Sequence, residues 1–186
     1  MAIITKSKLS QIVSSTVRNS EKADILKEAR RYSRTLYTTS VFLSHSHHDR
    51  EYVEDVVVFL RKMGVDVYID WMDDTLPKET SGETATLLKQ KIKENNKFIF
   101  LATNKSIESK WCNWEIGFGD AQKYLNKIAL FPLKEDNLDW NGNEYLKIYP
   151  HIKETGIFAS FLEFRFRYVV IFPNGNEMSL QEWLEQ

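Results

Sequence analysis

The clearest chemical potential in this sequence lies in the segment Ser109-Lys110-Trp111-Cys112-Asn113-Trp114-Glu115. Trp111 and Glu115 are four residues apart, so a helix places them on the same face. An indole beside a carboxylate can form the floor of a pocket for a sugar or a heterocycle. The alternative is a packed tryptophan next to a solvated glutamate, and this pair alone does not separate the two interpretations.

A second group, His45-Ser46-His47-His48-Asp49, directly follows an apolar run. It approaches the H-x-H-x-D-H signature of binuclear zinc hydrolases. However, Arg50 stands where the last histidine is needed, and only His151 remains as a downstream histidine. Zinc sites require three or four well-placed ligands. We therefore expect no metal here and interpret the group as a polar loop at the end of a strand.

Other sites of known chemistry do not match the chain. A phosphoacceptor receiver domain needs carboxylates after its first and third strands, where this sequence has Ser44-His45-Ser46 and Ala102-Thr103-Asn104. The sequence also has no G-x-x-x-x-G-K-[ST] loop, no G-x-G-x-x-G fingerprint and no G-x-S-x-G elbow. These absences argue against a P-loop NTPase and a Rossmann dehydrogenase.

The elements that must position these residues alternate between short apolar runs and amphipathic helices. This alternation predicts a parallel sheet with helices on both faces, in which reactive groups gather at the carboxyl ends of the strands. The segment 137–156 is predicted to be loop with a short helix. The predicted strands are 40–44, 65–70, 97–102, 127–133 and 164–172, and the predicted helices are 51–63, 83–95 and 108–124.

Two segments flank this alternating region. Residues 6–38 carry an amphipathic helical pattern that Asn19-Ser20 can divide into two helices. We treat residues 1–38 as an N-terminal helical extension and residues 39–186 as the main domain. The extension fits either a helix packed on the domain or an arm for oligomerisation. Near the other end, Ser179 and Glu182 predict a capping box at a last short helix.

Length and composition bound the remaining interpretations. A chain of 186 residues fits one domain with an appendage. Its formal net charge of −1 gives no general attraction to nucleic acid or anionic membrane. The one cysteine, Cys112, excludes an internal disulfide. No apolar run has the length of a signal peptide or a membrane span, so we expect a cytoplasmic protein with no nucleic-acid or membrane partner.

Three segments taken together resemble the Toll/interleukin receptor (TIR) domain family. VFLSHSHHD (41–49) is similar to the first box of the family, a strand followed by a Ser-x-Ser loop and an acidic residue. VDVYIDWMDDTLPKETSGE (65–83) is similar to the second strand and the long BB loop. FIFLATNKSIESKWCNWE (98–115) is similar to the third strand and the S-x-W-C-x-x-E segment, which is the most specific of the three. The resemblance covers residues 40 to about 133 and leaves the extension outside it.

The resemblance implies a flavodoxin-like α/β fold with a central parallel five-stranded sheet flanked by helices. In bacterial NAD-cleaving members, such as those of Thoeris anti-phage systems, it implies a catalytic glutamate at the position of Glu115. Asp49 is the acidic residue of the first box, and we expect it to cap the following helix. Trp111 fits a supporting role for Glu115 better than a direct contact. By family position, the substrate-binding residues are Ser46, His47, Asp70, Trp71 and Trp111.

The implied substrate is NAD+, and no cofactor is implied. The implied partners are further copies of the chain, which would meet through residues 73–82 of the BB loop, and a separate effector protein that reads the product. That product is linear, cyclic or conjugated ADP-ribose, depending on the acceptor. The alternative within the family is a non-catalytic adaptor that binds other TIR domains, but the glutamate favours the enzyme.

The implied reaction needs little machinery. The nicotinamide of NAD+ is cationic and leaves as a neutral molecule, so no general acid is required. Positive charge develops on the ribose in the transition state, and one nearby carboxylate can stabilise it. A single glutamate can therefore suffice for this chemistry.

Overall fold

The computed structural model describes residues 3–30, 38–73, 76, 81–155 and 167–186. Within them, eight strands form a single sheet that is flanked by helices. The strands are β1 (Ile4–Thr5), β2 (Ser40–Ser44), β3 (Asp66–Tyr68), β4 (Lys97–Ala102), β5 (Ile128–Lys134), β6 (His151–Glu154), β7 (Tyr168–Ile171) and β8 (Glu177–Ser179). The helices are α1 (Lys6–Thr16), α2 (Asn19–Arg30), α3 (Arg50–Lys62), α4 (Gly82–Glu94), α5 (Asn104–Glu108), α6 (Lys110–Gln122) and α7 (Leu180–Glu185).

The sheet has the strand order β3-β2-β4-β5-β6-β7-β8. Its neighbours from β3 to β6 are parallel. These five strands have the order 2-1-3-4-5 of a flavodoxin-like fold, whose switch point lies here between β2 and β4. The predicted five-stranded parallel sheet is confirmed, but the whole sheet is larger. Strands β7 and β8 continue it in antiparallel sense, and β1 lies parallel to the carboxyl end of β5.

The fifth parallel strand is not the one that the sequence predicted. That strand is β6, which lies in the segment 137–156 that was predicted to be loop. It has four residues, only one of which, Ile152, is apolar, so no hydrophobic period can be recognised in it. The predicted strand 164–172 corresponds to the antiparallel β7, and residues 164–166 of it lie outside the described residues.

Local sequence explains most of the remaining elements. The apolar runs of β2 and β4 have the predicted bounds and are buried along their whole length. Helix α3 stops at Gly64, whose φ of 84° is a conformation that favours glycine. The predicted helix 108–124 corresponds to α6, and only its first residue, Glu108, belongs to the short preceding helix α5. They are separated at Ser109 because its extended backbone ends the first, and its hydroxyl caps the second by accepting from the Cys112 N–H.

The core has two halves because successive side chains of a strand point to opposite faces of the sheet. In β4, Ile99 and Leu101 join a cluster that contains the buried residues of α1, α3 and α7. Phe98 and Phe100 join a second cluster with buried residues of α4 and α6. The sheet therefore lies between two helical layers, and its carboxyl edge is the place where loops from both layers meet.

The N-terminal extension packs on this domain. Leu9, Ile12 and Val13 of α1 are buried in the same cluster as the apolar face of α3, and Ala29 of α2 joins them. The predicted division into two helices is confirmed, since α1 ends at Thr16 and α2 begins at Asn19. The boundary between the extension and the domain at residue 38 stays a prediction, and residues 31–37 lie outside the described residues.

The end of the described chain follows the predicted pattern in part. The Ser179 hydroxyl accepts from the Glu182 N–H at 3.1 Å and so caps α7 as predicted.

Among the described helices, none has both the length and the apolar character that crossing a membrane requires.

Candidate active site

The carboxyl ends of β2, β3 and β4 bring Ser44, Asp70 and Glu115 together at the switch point of the sheet. Ser44 is the last residue of β2, and its hydroxyl donates a hydrogen bond to Glu115 Oε2 at 2.5 Å. Asp70 is the first residue of a 3-10 turn that follows β3 in sequence. Its negative charge raises the pKa of Glu115. Open α/β sheets bind their ligands at this position. Ser44 is a contact that the sequence analysis missed, because 71 residues separate it from Glu115.

The ionisation of Glu115 is strongly perturbed. Burial raises the pKa of this carboxyl from its ordinary value of 4.5 to about 8, and the negative charge of Asp70 contributes to the increase. Hydrogen bonds from Ser44 and Trp111 act in the opposite direction. The residue is 2% exposed. The carboxyl is therefore mostly protonated at neutral pH, and a cation placed beside it would favour its ionisation.

His45 links β2 to Asp70. Its Nδ1 lies 3.0 Å from the carbonyl oxygen of Leu43, and its Nε2 lies 3.5 Å from Asp70 Oδ1. The same Asp70 oxygen accepts from the backbone N–H of Trp71 at 2.7 Å. The His45 side chain is buried, whereas that of Asp70 is 18% exposed. The sequence analysis placed His45 in the polar loop but not among the site residues, although its position directly behind β2 was an available signal.

Ser46 and His47 form the turn between β2 and α3. Ser46 is buried, and its hydroxyl accepts from the His48 N–H at 3.3 Å, which starts a 3-10 turn at His47–Asp49. His47 and His48 are exposed. Neither Ser46 nor His47 is among the groups that perturb Glu115 in the described structure. Their predicted role in binding substrate stays a prediction.

Asp49 does not cap α3, so that prediction is wrong. Its side chain makes no capping hydrogen bond. Instead Thr103, at the carboxyl end of β4, donates its hydroxyl to Asp49 Oδ2 at 2.5 Å, and Lys6 Nζ lies 3.5 Å from Oδ1. Lys6 is itself buried, lies over the ring of Tyr52 and forms an ion pair with Glu135 at 3.1 Å. Asp49 is fully buried, and Lys6 supplies the charged partner that a buried carboxylate requires.

The two predicted tryptophans lie in different surroundings. Trp111 stacks on Trp114 with a centroid distance of 4.9 Å and hydrogen-bonds to Glu115, and its predicted supporting role stays a prediction. Trp71 packs against the core cluster on the α3 side, whereas Trp111 packs against the cluster on the α6 side. The Arg50 guanidinium lies 4.3 Å from the centre of the Trp71 ring. The two indoles therefore do not form one common wall.

The geometry agrees with a comparison against known families. The sequence profile of a family described as TIR domain matches residues 41–156. The chain belongs to the TIR domain family. The matched residues of this TIR domain run from β2 to just past β6 and include Glu115 and every predicted substrate-binding residue.

Two curated proteins are similar to this TIR domain. The first is a protein of Bacillus cereus (strain MSX-D12) named as a probable 3′ cyclic ADP-D-ribose synthase, ThsB′; it is 32% identical over 124 residues, which cover 64% of this chain and 63% of that protein. The second is a protein of Cytobacillus dafuensis whose name gives it as a candidate cyclic ADP-D-ribose synthase, TIR2. It is 31% identical over 117 residues, which cover 54% of this chain and 31% of that protein. The match thus spans less than two thirds of either relative.

A cavity of about 110 Å³ lies at the carboxyl edge of the sheet, beside Thr103 and Lys6. It opens between the carboxyl ends of β4 and β5 and does not include Glu115. Its charged lining is mainly basic, since Lys6, Lys105 and Lys134 outnumber Glu135. Neighbouring residues bury Glu115, which is 2% exposed to solvent.

Metal and thiol chemistry gain no support from the described geometry. In the part of the chain that the structure describes, no three His, Cys, Asp or Glu side chains are grouped to hold a metal ion. His45 points toward Asp70, while His47 and His48 are exposed. Burial raises the pKa of Cys112 to about 12, so this residue is a protonated thiol and not a nucleophile.

Proposed function

We propose that this TIR domain cleaves NAD+ at the nicotinamide–ribose bond, with Glu115 as the catalytic carboxylate. The observation that carries the proposal is a buried glutamate at the switch point of the sheet, hydrogen-bonded by Ser44 and Trp111 and perturbed by Asp70. Desolvation together with a specific charged neighbour is typical of a group with a chemical role. Family membership and the names of both relatives support the same substrate.

The substrate supplies the charge that the site lacks. The nicotinamide ring of NAD+ is a cation, so its arrival beside Glu115 favours the carboxylate over the protonated acid. As the C–N bond breaks, the bonding electrons leave with neutral nicotinamide and the positive charge passes to the ribose. The carboxylate then stabilises a cation in a dry environment, where such an interaction is strongest.

The acceptor completes the reaction. Attack by water forms a new C–O bond, releases one proton and gives linear ADP-ribose. Attack by a hydroxyl of the same molecule also releases one proton and gives a cyclic ADP-ribose. We propose a cyclic or conjugated product, because both relatives are named as cyclic ADP-D-ribose synthases. No step requires a cofactor.

The remaining substrate contacts are also proposed. Asp70 lies at the switch point with 18% of its side chain exposed, within reach of a ribose that contacts Glu115. His47 offers an exposed imidazole in the turn behind β2. Ser46 and Trp71 belong to the same rim of loops. Because Glu115 is 2% exposed, binding of NAD+ requires groups around it to move.

We further propose that the protein acts in the cytoplasm of a bacterium as part of anti-phage defence, and that a separate effector reads its product. Self-association through residues 73–82 would supply one means of opening the site. Of these residues, 74, 75 and 77–80 lie outside the described part of the chain.

The deciding experiment is incubation of the purified chain with NAD+, with nicotinamide and nucleotide products separated by chromatography and identified by mass. A cyclic product is lighter than linear ADP-ribose by one water. A filtrate freed of protein should activate a candidate effector, and a filtrate prepared with Glu115→Gln should not. If no nicotinamide appears at any protein concentration, the non-catalytic adaptor is the correct alternative.

A further inference from the structure

Lysines from three separate segments of the chain line the cavity between the carboxyl ends of β4 and β5. Lys6 is the first residue of α1, Lys105 lies in α5, and Lys134 is the last residue of β5. The fold gathers them because β1, which directly precedes Lys6, pairs with the carboxyl end of β5. We call this space the lysine cavity.

The charge of Lys6 is compensated within the protein. Its amino group lies 3.1 Å from Glu135 Oε1 and 3.5 Å from Asp49 Oδ1, and the residue is 5% exposed. Asp136 does not line the cavity and accepts from the Ser7 N–H at 3.3 Å. The two carboxylates that contact Lys6 therefore satisfy this buried cation without a ligand.

The other two lysines have no such partner. In the part of the chain that the structure describes, neither Lys105 nor Lys134 forms an ion pair with a carboxylate. The exposed Lys105 donates to the carbonyl oxygen of His48 at 3.4 Å. Lys6, and after it Lys105, lowers the pKa of Glu135. Three lysines thus stand against the two carboxylates that contact Lys6, and the remaining positive charge favours an anion.

The size and the apolar lining of the lysine cavity indicate which anion fits. One water needs roughly 10–15 Å³ of such space, so a volume of about 110 Å³ holds a phosphate group but not a peptide chain. A phosphate ester accepts through three oxygens, and lysine binds it as a point charge. Leu133 and Leu138 also line the cavity, and Leu138 is 53% exposed. It offers an apolar surface to a sugar or base attached to the phosphate.

We propose that the lysine cavity binds a phosphate group of a nucleotide, with Lys105 and Lys134 as its charged ligands. The phosphate has two possible sources with the same chemistry: the diphosphate of NAD+ bound at Glu115, or a separate mononucleotide. The ends of β2 and β5 are two strand spacings apart, roughly 10 Å, which an extended dinucleotide spans. The first source rests on the proposed function, whereas phosphate binding itself does not.

The first test is calorimetric titration of the full chain with AMP and with inorganic phosphate at fixed ionic strength. We expect one AMP to bind per chain. Lys105→Gln and Lys134→Gln should each weaken AMP binding about tenfold, because each removes a charged donor to the phosphate. Lys27→Gln is the matched control, since it removes the same charge from an exposed position on α2, and it should change the affinity less than about twofold.

Two further variants separate loss of a ligand contact from damage to the fold. Glu135→Gln removes the negative charge that lines the cavity and should strengthen AMP binding about threefold, which a disturbed fold would not do. Leu138→Ser should weaken AMP binding and leave the binding of inorganic phosphate unchanged. In NMR titrations with AMP, the amide signals of Thr103 and Leu133 should shift more than that of Glu115.

Steady-state kinetics distinguish the two sources of the phosphate. If the source is the diphosphate of NAD+, Lys134→Gln should raise KM for NAD+ without a change in kcat, and AMP should compete with NAD+. If the source is a separate mononucleotide, KM should stay the same in the variant that loses AMP binding. Either outcome supports a phosphate site in the lysine cavity.

Two results would overturn the proposal. One is that neither AMP nor phosphate binds to the unmodified chain. The other is that AMP binds equally well to Lys27→Gln and to the double variant of Lys105→Gln and Lys134→Gln. AMP binding by a chain that releases no nicotinamide from NAD+ would refute the proposed function alone, and nicotinamide release without AMP binding would refute the lysine cavity alone.

Discussion

Asp49 and Glu115 are two buried carboxyl groups at the same edge of one sheet, and their surroundings differ in kind. Asp49 is 0% exposed and has a cation, Lys6, at 3.5 Å together with the hydroxyl of Thr103. Glu115 is 2% exposed, and its polar contacts are the neutral donors Ser44 and Trp111. The negative charge of Asp70 raises the pKa of Glu115 further.

The difference separates a structural carboxylate from the one that we propose to be reactive. An anion paired with a buried cation is satisfied before any ligand arrives, and removing either partner leaves the other uncompensated. A carboxyl held beside an anion by neutral donors is unsatisfied as an anion until a cation comes. Asp49 therefore fixes the loop that follows β2, whereas Glu115, under the proposed function, gains a counter-charge only when a positively charged substrate binds.

The largest expected effect is on catalysis. Glu115→Gln should lower nicotinamide release at least about 1000-fold, because the amide cannot stabilise the ribosyl cation. Asp49→Asn should lower it less than about tenfold at a temperature where the variant is folded, since Asp49 acts only by holding the loop. Rates of nicotinamide release on folded variants decide the matter. Equal losses in the two variants would remove the distinction between the carboxyl groups.

The next effect is on the pH dependence of stability. Because the folded pKa of Glu115 is raised from 4.5 to about 8, its neutral form contributes stability that is full below pH 4.5 and is lost as pH rises through about 8. Glu115→Gln has no such dependence. Between pH 5 and pH 9, the variant should gain roughly 4 kcal/mol in unfolding free energy relative to the unmodified chain. Urea unfolding at both pH values measures this, and a constant difference would mean that the carboxyl ionises freely when folded.

Replacement of Asp49, unlike that of Glu115, should lower the stability of the protein at neutral pH. Asp49→Asn should lose about 2 kcal/mol of unfolding free energy, a loss moderated because Lys6 keeps Glu135 as a partner. Lys6→Met is the reciprocal variant. Its loss should not add to that of Asp49→Asn in the double variant, because both remove the same ion pair. Additive losses in urea unfolding would show that the two groups are not coupled.

A smaller effect is expected for self-association. Asp73 is already engaged within the protomer, since the Tyr68 hydroxyl donates to it at 2.9 Å and Lys91 lies at 3.4 Å. Asp74→Lys is therefore the cleaner test of the BB loop, with Asp73→Lys as a control for damage within the protomer. Specific activity of Asp74→Lys should fall a few-fold at low protein concentration and recover at high concentration. Specific activity independent of concentration in the unmodified chain would mean that one protomer holds a complete site.

The smallest expected effect is that of metal removal. His45 is directed to Asp70, and the neighbouring His47 is exposed, so the HSHHD group does not converge on one point. Activity should survive EDTA, and elemental analysis of the purified chain should find less than one zinc per protein. Loss of activity that Zn2+ restores would revive the metallohydrolase interpretation of this group.

The sequence predicted the long elements well because they bury whole faces. The predicted bounds 40–44 and 97–102 are those of β2 and β4, in which every residue is buried. It failed for β1 and β6, which have two and four residues. Strands of this length have no readable period, and pairing with β5 decides them.

The sequence by itself determined the fold class, the family resemblance and the choice of Glu115, because those depend on periodicity and on residue types in fixed local order. Only the tertiary structure decided which charges and hydrogen-bond donors surround that glutamate. Ser44 donates to it although 71 residues separate the two in sequence, and the charge of Asp70 acts on it from the turn after β3. The physical reason is that the pKa of a buried group depends on which charges and hydrogen-bond donors the fold places around it, and local sequence does not encode those distances.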